Sequence, residues 1–117
     1  MTPNDRVRLQ HMLEAAQEGM AFCAGKGREE IRQNRVLTLA LVRCIEIVGE
    51  AASQVGPETR VEVADIPWAK VVAMRNHLIH AYFDIDWDLV FDTVVGDLPP
   101  LVAVLKRVLT GDMEPLE

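Results

Sequence analysis

Aromatic residues are scarce in this chain, 5% of 117 residues, and cysteine is scarcer, with only Cys23 and Cys44. Two cysteines make neither a disulfide framework nor a metal-binding quartet, and a reducing cytoplasm is the expected setting. Long apolar runs are missing too. The longest, Val36–Val42, spans seven residues and includes Thr38, whereas a membrane-spanning helix needs about 18. The first residues, Met1-Thr2-Pro3-Asn4-Asp5-Arg6, hold no apolar stretch after a basic start, so no secretory signal is expected. Positive charge is in deficit, with 12 Lys/Arg against 18 Asp/Glu and a net charge of −6. Residues 1–43 carry seven basic and five acidic residues; residues 44–117 carry five and thirteen. This balance argues against a protein that grips nucleic acid by bulk charge. It leaves room for a small local basic site.

What is present is helix-forming. Half of the residues are hydrophobic and 26% are charged, the balance of one folded domain, taken as 1–117. Thr2 reads as a cap, Pro3 as the first helical position and Asp5 as a first-turn acid. Leu9, Met12, Leu13, Ala16, Met20 and Cys23 recur at helical spacing, and Gly25-Lys26-Gly27 ends the pattern. A second helix begins between Arg28 and Asn34. Its stripe is Leu37, Leu41, Cys44, Val48, Ala51 and Val55, widened by Val42, Ile45 and Ala52. That width predicts a central helix buried on more than one side. Gly56-Pro57 stops it, and 57–66 reads as a polar connection.

Pro67 opens a third helix, with Asp65 as capping candidate and Val71, Met74, Leu78 and Ala81 toward the core. A fourth begins within Asp84–Asp88 and breaks at Gly96-Asp97-Leu98-Pro99, after which Pro99 starts a fifth running to Leu109. There is no strand alternation and no repeat. The expectation is an all-α, four- to five-helix up-and-down bundle. So short a chain leaves apolar helix surface uncovered, which favours a homodimer.

The unusual stretch is Arg75-Asn76-His77-Leu78-Ile79-His80-Ala81-Tyr82, with two of the three histidines and the only tyrosine. Histidine exchanges protons near neutral pH. Arginine binds phosphate through paired hydrogen bonds and steadies growing negative charge. Together they suffice for metal-independent phosphodiester cleavage; neither a metal nor a cofactor is called for. Periodicity alone favours a plainer reading, the wet edge of a helix. On a continuous helix Arg75 and His80 would stand about 140° apart. They meet at one substrate only if the helix loosens, if long side chains reach round, or if two chains contribute.

Arg75-Asn76-x-x-x-His80-x-Tyr82 resembles the Arg-x4-His-x-Tyr motif of the HEPN superfamily, and more narrowly that of the HepT toxins. Arg43-Cys44-Ile45-Glu46-Ile47-Val48-Gly49-Glu50-Ala51-Ala52 is similar to that family's second-helix signature. Ile66-Pro67-Trp68, Tyr82-Phe83-Asp84-Ile85-Asp86 and Asp97-Leu98-Pro99 match its flanks in order. The resemblance implies small helical dimers acting as endoribonucleases, with the motif at a composite cleft. It also implies a partner, a minimal nucleotidyltransferase antitoxin of the MNT type, which transfers AMP to the motif tyrosine or neutralises by binding. Carried over, Arg75 is the phosphate-binding residue and His80 the general base or acid. Asn76 orients them, and Tyr82 accepts AMP. His77 is an RNA-contact candidate, and Ala81 stands where relatives often have glycine.

Arg43, Glu46 and Glu50 fall on one helix face. They are candidates to position Arg75 or His80, and equally fit a solvated polar face. The acids Asp84, Asp86, Asp88 and Asp92 lack the register of a calcium loop and read as helix-start charges and surface. Cys23 and Cys44 read as buried thiols, Trp68 and Trp87 as packing anchors. The alternative to a toxin ribonuclease is a non-catalytic nucleotide- or partner-binding HEPN subunit of a nucleotidyltransferase complex, which the −6 charge favours.

Overall fold

A computed structural model of the chain describes residues 1–77, 79–81 and 84–111; the side chains at 77, 79–81 and 84 lie outside that description. The elements are α1 (Pro3–Cys23), α2 (Arg28–Arg32), α3 (Arg35–Ser53), α4 (Pro57–Glu62), α5 (Trp68–His77), β1 (Ile79–Ala81), β2 (Asp84–Ile85), α6 (Trp87–Asp92), a π-helical turn (Thr93–Asp97) and α7 (Leu98–Leu109). The architecture is all-α, as expected, apart from one short strand pair. Among the described residues no helix is long and apolar enough to cross a membrane.

Side-chain caps set the starts of α1, α3 and α6. Thr2 Oγ1 accepts the Asp5 N–H at 3.0 Å, and Asn34 Oδ1 accepts the Leu37 N–H at 3.0 Å. α3 is the centre, packed on α1 along one side and on α5 along another. Leu41, Ile45 and Val48 are wholly buried, each contributing roughly 1.5–3 kcal/mol by leaving water. α1 and α3 approach closely at Gly19, where a Cβ would lie 3.4 Å from Cys44 Cβ and 3.5 Å from Leu98 Cδ1. Cys23 and Cys44 are buried free thiols. Burial pushes the Cys44 thiol up to about 11, with the Glu18 charge adding to the shift.

Asp5 is more than a first-turn charge. It is buried, and its carboxylate accepts the Thr59 hydroxyl at 2.6 Å and the Gly56 N–H at 3.1 Å. These bonds tie the start of α1 to α4. They favour the charged form, so the Asp5 pKa lies below the ordinary aspartate value. α4 itself corrects the expected polar connection over 57–66. It is held by the Asp5 bonds and, locally, by Trp68 Nε1 donating to Val63 O at 3.0 Å.

The expected break at Gly96–Pro99 is a widening. Pro99 and Pro100 have no N–H for the carbonyls one turn earlier. The chain inserts a π turn, in which Leu98 N–H donates to Thr93 O, and runs on as α7. α6 starts at Trp87, where Asp86 accepts the Leu89 N–H at 3.0 Å. Its acids face α2. Arg28 pairs with Asp88 at 3.0 Å and Asp92 at 2.7 Å while lying 4.6 Å over the Phe91 ring.

Candidate active site

Gly49 sets the geometry. A Cβ there would lie 3.4 Å from Arg75 Cβ and 3.4 Å from the carbonyl oxygens of Val71 and Val72. α3 therefore meets the backbone of α5 at contact distance, and Arg75 stands beside the next residue of α3. Arg75 Nη1 donates to the Glu50 carboxylate. The Arg75 side chain is 31% exposed and that of Glu50 63%. A guanidinium has five N–H donors, so this contact orients the arginine and leaves donors for an anion arriving from solvent.

α5 ends at His77, which corrects the expected helix through Ala81. No glycine or proline marks this end in the sequence. The chain instead enters β1, which pairs antiparallel with β2, Ile79 opposite Ile85 and Ala81 opposite Asp84. His80 is the extra residue between those two pairs, in a bulge. Arg75 on a helix and His80 on a strand are thus released from the 140° separation. Asn76 is exposed in the last turn of α5. The side chains of His77 and His80 lie outside the described set, and Tyr82 and Leu78 lie outside the described residues altogether.

On α3, Arg43 is exposed and Glu46 half-buried, on the face that carries Glu50. The structure joins Glu50 to Arg75; it pairs neither Arg43 nor Glu46 among the described residues. Arg43 and Glu50 line a cleft of about 260 Å³ between α1 and α3, with Arg8, His11, Ile47 and Gln54. Arg8 and His11 escape a reading by motif. Their one signal is i, i+3 spacing on the polar side of α1. A second cavity of about 150 Å³, between α5 and α7, is lined mainly by apolar residues such as Ile66, Met74 and Leu101. The charged pair at that cavity, Lys70 and Asp97, is bonded to itself at 3.2 Å. Among the described residues no three His, Cys, Asp or Glu side chains are grouped to hold a metal ion.

Comparison with known proteins places the sequence in a family. A family model described as Ribonuclease HepT-like matches residues 12–108. A candidate RNase of Caldanaerobacter subterraneus subsp. tengcongensis is 32% identical over 104 residues, covering 89% of this chain and 93% of that protein. A candidate RNase of Methanocaldococcus jannaschii is 33% identical, covering 80% of this chain and 85% of its own. The probable ribonuclease HepT of Thermococcus cleftensis is 34% identical, over 68% of this chain and 72% of its own. Among solved structures there is no significant match. With a family-model match over most of its length and relatives of 32–34% identity, the chain belongs to the HepT-like ribonuclease family of the HEPN superfamily.

Proposed function

We propose that this single-domain chain is a metal-independent endoribonuclease, the toxin of a cytoplasmic toxin–antitoxin pair, acting as a homodimer. The observation that supports the reading best is Arg75 itself, oriented by Glu50 at a solvent-open edge and followed by His80 just past the helix end. In this reading the Arg75 guanidinium holds the scissile phosphate and offsets the charge of the crowded phosphorane. His80 takes the ribose 2′-hydroxyl proton. The 2′-oxygen attacks phosphorus, the bond to the 5′-oxygen breaks, and that oxygen leaves with a proton. The product is a 2′,3′-cyclic phosphate. Asn76 orients the pair, Arg43, Glu46 and Glu50 support it, and His77 touches RNA.

Control falls to a minimal nucleotidyltransferase antitoxin. It transfers AMP from a nucleoside triphosphate to the Tyr82 hydroxyl with loss of pyrophosphate, or silences the toxin by binding. A phosphodiester near Arg75 would occupy the place of an RNA phosphate. RNA cleavage by purified protein, with and without EDTA and beside Arg75→Ala and His80→Ala, tests the chemistry. Cleavage that survives EDTA and falls roughly 10²–10⁴-fold in His80→Ala is expected. Full activity in His80→Ala, or loss on adding EDTA, rejects it. Tyr82→Phe should remain nucleolytic and escape AMP-dependent control when the antitoxin is co-expressed.

A further inference from the structure

The cleft between α1 and α3 has a property that the −6 net charge hides. Most arginines of the chain are committed. Arg6 donates to Leu109 O, Arg28 and Arg32 to acids of α6, Arg60 to Val55 O and Ala52 O, and Arg75 to Glu50. The side chains of Arg8, Arg35, Arg43 and Arg107 have no hydrogen-bond or ion-pair partner among the described residues, and of these Arg8 and Arg43, with the likewise unpaired His11, line one cleft. The one acid in the lining is Glu50, which is bound to Arg75. Concentrated, unpaired guanidinium groups in a concave site attract an oxyanion and hold it in fork geometry. Ile47 in the lining offers apolar surface for a sugar or base edge.

The geometry points to this cleft as a phosphate-binding track that holds the RNA strand beside the cleavage site, with Arg8 and Arg43 as its phosphate ligands and His11 beside them. The inference rests on the ribonuclease reading and extends it to residues outside the motif. Glu50 lines the cleft and holds Arg75, so the cleft lies next to Arg75. Arg43 stands seven residues before Glu50, about 10 Å along α3. The phosphate it meets is therefore a neighbour of the scissile one. This location also explains how a chain with excess acid takes an anionic substrate. Asp88 and Asp92 are answered by Arg28 and Arg32 elsewhere on the molecule, while the track keeps its cations free.

The test uses full-length protein with Arg8→Gln, Arg43→Gln and the double substitution. Arg107→Gln, an exposed arginine outside the cleft, controls for bulk charge. Fluorescence anisotropy with a short single-stranded 2′-O-methyl RNA, which cannot be cleaved, reads binding alone. Each cleft substitution should weaken binding about tenfold, the loss expected for one charged hydrogen bond to phosphate. Each should also flatten the plot of log affinity against log salt by about 0.7. On cleavable RNA the loss should fall mainly on KM. Arg107→Gln should match wild type in both assays. If the wild type cleaves RNA but the cleft variants behave like Arg107→Gln, the track is wrong and the ribonuclease reading stands. If the wild type neither binds nor cleaves RNA, both fall.

Discussion

Asp5 and Glu50 are both helix carboxylates, and burial separates their tasks. Asp5 is buried and accepts two hydrogen bonds, from the buried Thr59 hydroxyl and the half-buried Gly56 N–H. Asp5→Ala should lower the melting temperature by several degrees, because it strands both donors. The sign of the pH effect follows from the lowered pKa. The stabilisation is whole above the unfolded aspartate value of about 3.9 and drains away as pH falls through the folded value below it. Thermal melts of wild type and Asp5→Asn should keep a constant gap from neutral pH down to about 5. The gap should close below about 4. A gap that closes near neutrality would assign the effect to another group. Glu50, more than half exposed, contributes little to stability, at most about 1 kcal/mol for such a pair. Its expected effect is on Arg75. Glu50→Ala should leave the melting temperature nearly unchanged and lower kcat about tenfold. Glu50→Gln, which keeps an acceptor oxygen, should retain more. Equal kcat in all three proteins would remove Glu50 from any positioning role.

Elements show why part of the fold was legible and part was not. α3 was readable because its apolar residues keep helical period for nineteen residues and its cap, Asn34, is a residue type that caps. α4 was not, because so short a helix carries no period and part of its hold comes from Asp5, 54 residues away in sequence. β1 and β2, three and two residues long, have no room for alternation. The end of α5 carries no stop signal, so the motif looked like one helix. The shared face of Arg43, Glu46 and Glu50 was visible as spacing; that Arg75 answers Glu50 is a tertiary fact set by Gly49. That glycine gives a prediction about α5. An alanine at 49 would just reach contact at 3.4 Å, so Gly49→Ala should stay near wild type. Gly49→Leu must push α5 away, costing roughly 1–3 kcal/mol. It should reduce RNA cleavage, measured well below the melting temperature, more than it reduces the folded fraction. Unimpaired cleavage by folded Gly49→Leu would show that the α3–α5 approach does not position Arg75.

For the whole molecule, the question is whether one chain completes a site. Uncovered apolar surface and the roughly 140° separation of Arg75 from His80 on one helix both favour a dimer, and the structure removes the second. With α5 ending at His77, Arg75 and His80 no longer sit on one rigid helix face, so a single chain has a route to bring them together. Val36 is 81% exposed and Leu39 42% exposed, one turn apart at the start of α3, the helix that supplies the centre of the core. Isolated apolar residues on a surface are ordinary. These two stand on the helix that also carries Arg43 and Glu50, so a second copy covering them would lie near the cleft. The proposed dimer therefore predicts a light-scattering mass of about twice 13.1 kDa at micromolar concentration. It also predicts that cleavage per chain falls on dilution, in step with the mass. A 13.1 kDa particle that cleaves RNA at undiminished rate per chain would overturn the composite cleft and leave Arg75 and His80 of one chain to serve one phosphate.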